Sequence, residues 1–390
     1  MKGLYQLIAL MVCVFLFNAS EFLPVSLLTD IAEDLQVSEF QTGLIISFYA
    51  WAVAIISLPI MLVLRKMEFK KMMLLCVFIF MSFQALSGLS DNYWMLLISR
   101  IGVALAHSIF WSIVTPIAIT LVESRYREFA MGAIATGTCV AMVLGLPLGR
   151  IIGLSMGWRW SFLSIALISL AILVVLFFIL PKIENPGTFT LQRVPEIFHN
   201  KVLVGIFIVL ILIVTGIFTG YSYFDAFLKD YGGFSQSEIT ILLTIFGLAG
   251  VVASVLFSRV FKQHQRFFMI ASFSTLALML FLLNPASEYF VTIAVVIFFW
   301  GLCYIAFNLP LQSNLMFESP RDATPIVMAT YSGLFNVGIA SGSLIGGFVT
   351  DTIGVGFVGF VGAAFATVST LILVTYLLPR LRKNSSEINA

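Results

Sequence analysis

The chain has 390 residues, 60% of them hydrophobic and 10% charged, with a net charge of +2. A charged fraction so far below the roughly 25% of soluble domains, with a mean hydropathy of +1.06, excludes an ordinary water-soluble protein; the net charge itself says nothing about nucleic acid, and no nucleic-acid partner is expected. Cys13, Cys76, Cys139 and Cys303 fall in separate apolar stretches without C-x-x-C spacing, which argues against a disulfide framework or a metal site.

A bilayer core of roughly 30 Å takes about 20 apolar residues per helix. The sequence offers twelve such runs: 6–28, 41–64, 72–89, 93–122, 129–155, 160–181, 202–225, 237–258, 267–284, 289–317, 325–350 and 355–379. The first lacks a small-residue cleavage site and reads as a retained helix rather than a signal peptide. With the N-terminus in the cytoplasm, 17 of the 21 Lys and Arg residues fall on that side, and the opposite loops carry acids such as Asp30, Asp34, Asp91 and Glu288. The positive-inside rule therefore predicts both termini inside. The longest polar break, Pro181 to Lys201 (PKIENPGTFTLQRVPEIFHNK), lies at the midpoint and holds three prolines. It predicts an N-terminal six-helix bundle over 1–181, a cytoplasmic linker at 182–201 and a C-terminal six-helix bundle over 202–390.

In the fifth span, Gly145 to Gly157 reads GLPLGRIIGLSMG, a glycine at every fourth position, and the pattern returns in the eleventh at Gly338, Gly342, Gly346 and, after Thr350, Gly354. Gly145 and Gly342, Gly149 and Gly346, Gly157 and Gly354 are each 197 residues apart, as are Met131 and Met328. The half-length offset predicts a duplication, and the spacing puts small residues on one helical face, where two backbones can approach closely in lipid. Gly153–Gly157 also matches the G-x-S-x-G hydrolase elbow, but that turn needs a preceding strand and a His partner. No Walker A, H-E-x-x-H or G-x-G-x-x-G pattern is present, so neither an enzyme nor ATP drive is supported.

Ionisable side chains deep in a membrane are costly enough to mark function by default. Glu21, Arg100, His107 and Arg150 qualify, with Asp225 nearer a boundary, where Lys229 at i+4 offers a salt bridge. Glu21 lies about 16 residues into the first helix, roughly 24 Å at 1.5 Å per residue, and Arg100 lies at similar depth in the fourth. Two readings stay open for them and can hold together. One is a structural ion pair; the other makes Glu21 a proton carrier, with desolvation and a nearby cation acting in opposite senses on its protonation. Arg100, His107 and Trp111, at i, i+7 and i+11, share one face of the fourth helix. A lone histidine is otherwise a packing residue.

The 197-residue offset carries His107 onto Tyr304, Trp111 onto Asn308 and Thr115 onto Gln312, a polar, uncharged stripe on the tenth helix. Amides and a phenol beside aromatic rings suit a neutral polyhydroxylated ligand; the plain alternative is interhelical hydrogen bonding, worth about 0.6 kcal/mol per contact. Asn18 is a further substrate-contact candidate, and Tyr331 and Asn336 are weaker ones. Tyr49, Trp51, Tyr221 and Tyr223 are weaker as well, since aromatics near span ends are often interface anchors. Arg159 is expected to anchor one end of the sixth helix. Pro24, Pro59, Pro116, Pro147 and Pro310 mark bends that are tolerated where neighbours satisfy the freed carbonyls.

NASEFLPVSLL (Asn18–Leu28), SRIGVALAHSIFWS (Ser99–Ser112) and ATGTCVAMVLGLPLGRIIG (Ala135–Gly153) resemble the bacterial sugar efflux transporters of the major facilitator superfamily's drug/proton antiporter branch, over nearly the whole chain. The resemblance implies an all-α membrane protein of two pseudo-symmetric six-helix halves, whose first, fourth, seventh and tenth helices line a cavity. It implies efflux of arabinose, lactose-like glycosides or synthetic galactosides across the inner membrane by alternating access and inward proton flow, by a monomer without cofactor or metal. Gly145, Pro147 and Gly149 look like the antiporter motif of exporters. Arg100 matches the fourth-helix arginine, proposed in the family to assist proton movement. Two positions depart from the family pattern. In MLVLRKMEFKK, Arg65 stands where the second-to-third loop motif has Asp and Glu68 where it has Gly, and Ala104 replaces the glycine that usually follows the fourth-helix arginine. The rival is export of amphipathic drugs or nucleosides, which a cavity lined by Phe and Met would favour and paired amides would not.

Overall fold

The computed structural model describes residues 3–37, 39–185, 194–320 and 322–381. The side chains of a few positions inside helices, Pro147 and Asp225 among them, lie outside the described residues, as do residues 186–193 of the expected linker. Every regular element described is helical, and twelve spans among them are long and apolar enough to cross a membrane. The chain is an all-α membrane protein with the number of spans that its hydropathy predicts.

The first span, α1 (Leu4–Ser26), is followed by a short amphipathic helix α2 (Leu28–Leu35), then by α3 (Glu39–Leu64), α4 (Phe69–Gly88) and α5 (Tyr93–Thr120). The fifth span joins α6 (Arg127–Val140), a π-helical turn at Ala141–Gly145 and α7 (Leu146–Met156); the sixth is α8 (Trp158–Ile179). After α9 (Val194–His199) come α10 (Lys201–Tyr221), the single turn α11 (Phe224–Ala226), α12 (Gln236–Val260) and α13 (Gln265–Ala286). The tenth span is broken at Phe307 into α14 (Phe290–Ala306) and α15 (Asn308–Glu318). Helices α16 (Thr324–Thr352) and α17 (Val358–Ile372) complete the set.

Short polar signals set several boundaries. Asn92 Oδ1 accepts the Met95 amide at 2.9 Å and opens α5; Asn200 does the same for α10 through Val202, and Ser235 with Glu238 forms a capping box on α12. Gly157 and Gly354 follow α7 and α16 with φ of 97° and 105°, a region that favours glycine. These two glycines are 197 residues apart, so both halves end their ladder helix with the same turn.

The chain divides into two compact units, Met1–Phe189 with Pro320–Gly333, and Thr190–Ser319 with Leu334–Ala390. In the first, α5 packs on α3 and α4, α4 on α8, and α1 on α6, α7 and α8. In the second, α17 packs on α10 and α13, and α14 on α12 and α13. The glycine ladders seat each half on its own first helix. A Cβ on Gly137 would lie 2.9 Å from the Met11 carbonyl oxygen, and one on Gly145 2.8 Å from Ala19 Cβ, both on α1. On α16, a Cβ on Gly342 would lie 2.5 Å from the Thr215 carbonyl oxygen and one on Gly346 2.6 Å from that of Thr219, both on α10. The expected close backbone approach holds for the ladder of α16 on α10, whereas in the first unit Gly145, Gly149 and Gly153 make room for the side chains of Ala19 and Leu23 of α1 and of Leu27 at its end, and the backbone approach there is at Gly137, outside the ladder.

Candidate functional site

The central cluster of the first unit begins at a proline. Pro24 has no N–H, so the carbonyl of Ser20, four residues earlier in α1, lacks its helical donor. Arg100 of α5 supplies the missing bond: Nη2 donates to the Ser20 carbonyl at 3.0 Å and Nη1 to Ser20 Oγ at 3.1 Å. Gln84 of α4 donates through Nε2 to the same hydroxyl. Arg100 is 1% exposed, and its guanidinium lies over the rings of Tyr49 at 4.8 Å and Phe162 at 5.8 Å. A buried cation needs such partners, because leaving one unpaired costs several kcal/mol.

Glu21, one residue after Ser20, pairs with His107 rather than with Arg100. His107 Nε2 lies 3.8 Å from Glu21 Oε2, whereas no carboxylate comes within ion-pair distance of Arg100 among the described residues. The structural ion pair of Glu21 with Arg100 is therefore replaced by a shared anchor on Ser20, which leaves the carboxylate to histidine. At 3.8 Å the Glu21–His107 contact is longer than a formed hydrogen bond and is mainly electrostatic. On the other side of the imidazole, the Tyr49 hydroxyl lies 2.6 Å from Nδ1. Trp111 of α5 and Phe17 of α1 flank the imidazole, with ring centroids 5.9 and 6.3 Å away.

The cluster thus draws together Glu21 and Ser20 of α1, Tyr49 of α3, Gln84 of α4 and Arg100 and His107 of α5. Of these, Glu21, Arg100 and His107 are legible as single intramembrane ionisable groups. Ser20 and Gln84 are not picked out by that rule, and Tyr49 is classed by it with the interface aromatics. A signal for Ser20 does exist, four residues before a helical proline.

The second unit repeats the geometry without the charges. At the 197-residue offset, Glu21, Tyr49 and His107 correspond to Phe218, Phe246 and Tyr304. The Tyr304 ring lies 6.5 Å from that of Phe218 and 5.8 Å from that of Phe246, in a group with Tyr221 and the fully buried Trp300. Asn308 opens α15 and Gln312 Nε2 donates to its Oδ1 at 3.3 Å, so these two amides share one face. The stripe read as one helix crosses the break at Phe307, one turn before Pro310.

Asn18 donates to the Val14 carbonyl at 2.8 Å and to Thr138 Oγ1 at 3.3 Å, which ties α1 to α6. Tyr331 and Asn336 lie on α16, 2% and 4% exposed. Gly145 closes the π-helical turn and Gly149 lies in α7, where Arg150 is exposed; Pro147 falls in α7 with its side chain outside the described residues, as is that of Asp225. Arg159 anchors the start of α8, pairing with Asp34 Oδ2 at 2.7 Å and donating to the Ser90 carbonyl at 3.0 Å. Asn185 Nδ2 donates to the carbonyls of Arg65 and Met67, in the loop between α3 and α4, at 2.9 and 3.2 Å, a polar tether.

The family model described as Major Facilitator Superfamily matches residues 10–327 and 226–390. A protein of Mannheimia succiniciproducens described as a probable sugar efflux transporter is 38% identical over 374 residues, which is 96% of this chain and 94% of that protein. Among solved structures, the Major Facilitator Superfamily transporter FucP in the outward conformation is similar with a TM-score of 0.74 and 15% identity, over 95% of this chain and 98% of that one. The human organic anion transporter MFSD10 is similar with a TM-score of 0.73 and 17% identity, over 94% and 99%. At these identities the structural likeness concerns the fold.

Proposed function

From the premise that this chain belongs to the Major Facilitator Superfamily of membrane transporters, we propose that it exports sugars, among them arabinose, lactose-like glycosides and synthetic galactosides, in exchange for protons. It is a transporter and not an enzyme. The observation that carries proton coupling is the contact of the part-buried Glu21 with the buried His107 beside Arg100. A carboxylate in that setting exchanges its proton only when its surroundings change, which is the requirement on a coupling group. Glu21 carries the proton in this reading, with His107 and Arg100 setting when it leaves.

Sugar contact falls to Asn18, Trp111, Tyr304, Asn308, Gln312, Tyr331 and Asn336, where amides can donate and accept while rings cover apolar sugar faces. The description of the Mannheimia relative supports sugar as the substrate class. Gly145, Pro147 and Gly149 act as the packed seam of the exporter, with halves 1–181 and 202–390 as the moving bodies and 182–201 as their linker. The protein works as a monomer in a bacterial inner membrane with both termini in the cytoplasm. The ring group around Tyr304 favours a second reading, efflux of amphipathic drugs or nucleosides. A substrate panel in inverted vesicles separates the two: sugars accumulate under an imposed pH gradient in the first reading, lipophilic cations or nucleosides in the second.

A further inference from the structure

We propose that Tyr49 is a positioning residue of the proton-coupling pair: its hydroxyl donates to Nδ1 of His107, holds the imidazole as the Nε2–H tautomer, and so directs that N–H at Glu21. The inference rests on the proton-coupling reading of Glu21 for its consequence, and on geometry for its substance.

A neutral imidazole has one donor and one acceptor nitrogen, and the partner of one fixes the other. The Tyr49 hydroxyl stands 2.6 Å from Nδ1 in a buried setting, with Tyr49 3% exposed and His107 likewise. A phenol is the natural donor to an unprotonated ring nitrogen. With Nδ1 accepting, the proton resides on Nε2, which lies 3.8 Å from Glu21 Oε2. The opposite tautomer turns a lone pair toward the carboxylate and strands it. The same tyrosine also carries the Arg100 guanidinium on its ring face at 4.8 Å. Glu21 of α1, Tyr49 of α3 and Arg100 and His107 of α5 are the ionisable groups of this cluster, and Tyr49 touches two of the other three.

The second unit shows that packing alone does not demand these groups. Rings at the equivalent positions Phe218, Phe246 and Tyr304 bring the same three places together with no carboxylate, no imidazole and Phe where Tyr49 stands. The fold provides the juxtaposition, and the first half lines up a hydroxyl, an imidazole and a carboxylate in that order where the second has Phe246, Tyr304 and Phe218. A hydroxyl kept for packing would have no reason to end on a ring nitrogen that faces an acid.

The test uses the full-length protein in lipid nanodiscs with 15N-labelled histidine, where His107→Gln identifies the His107 signals against His199 and His264. The expected wild-type signature is a neutral ring protonated at Nε2 and not at Nδ1, and Tyr49→Phe, which keeps the ring under Arg100, yields a tautomer mixture. An Nδ1–H ring in the wild type, or the same tautomer in wild type and Tyr49→Phe, overturns the proposal. In inverted vesicles, the ratio of pH-driven sugar uptake to sugar exchange should fall roughly three- to tenfold in Tyr49→Phe, the range one buried hydrogen bond commands; an unchanged ratio counts against it. Glu21→Gln is run alongside. If that variant still responds to the pH gradient, the proton-coupling reading falls, while the tautomer comparison still decides for or against Tyr49.

Discussion

Pro24 removes one hydrogen bond from α1, and the consequence is that Arg100 binds the backbone beside Glu21 instead of its carboxylate. The two-pronged contact with Ser20 needs a planar fork, which lysine does not have. Arg100→Lys is therefore expected to cut sugar transport at least about tenfold and to lower the melting temperature in detergent despite keeping the charge, since it forfeits a charge-assisted bond of about 1.5–3 kcal/mol. On the substrate side, Gln312→Ala removes one amide of the Asn308–Gln312 pair. The sugar KM should rise about two- to tenfold, one hydrogen bond's worth, and unchanged transport kinetics would remove this residue from the site. At this scale the sequence discloses Glu21, Arg100 and His107, because charge inside an apolar run needs no structure to stand out. It does not disclose their pairing. Which acid meets which base depends on Ser20 and Tyr49, two residues of common types whose roles follow from a freed carbonyl and from a hydroxyl direction.

Between elements, the glycine ladders and the polar clasps contribute differently. A Cβ on Gly342 meets the Thr215 carbonyl oxygen at 2.5 Å and Phe218 Cβ at 2.9 Å, and backbone cannot move aside as a side-chain tip can. Gly342→Ala should destabilise by about 1–3 kcal/mol, the usual range for overpacking. The Arg159–Asp34 pair is partly exposed, 32% and 43%, and such pairs are worth about 0–1 kcal/mol. Thermal melting in one detergent should therefore rank Gly342→Ala well below Asp34→Asn, and the reverse order would contradict the packing argument. The offset of 197 residues links the clasp to a neutral counterpart, where Asn284 Nδ2 donates to Tyr231 Oη at 2.8 Å and to the Gly356 carbonyl at 2.9 Å. Tyr231 stands at the place of Asp34 and Gly356 at that of Arg159. The ladder was legible because a four-residue spacing maps directly onto one helical face. The breaks at Ala141–Gly145 and Phe307 leave the hydropathy run intact, and only Pro147 and Pro310, expected as bends, point to them in the sequence.

For the whole molecule, twelve apolar runs and a half-length repeat are enough to predict the architecture, since a lipid solvent leaves few ways to satisfy a backbone. The repeat then places charge in one half and rings with amides in the other, and the proposed division of labour between proton and sugar follows that asymmetry. The most direct test is accumulation of a labelled galactoside in inverted vesicles under an imposed pH gradient, wild type against Glu21→Gln. Wild-type vesicles should concentrate the sugar while the gradient lasts and release it on addition of a protonophore, and Glu21→Gln vesicles should fail to concentrate it. Equal gradient-driven accumulation in the two proteins would contradict the assignment of Glu21 as the proton carrier.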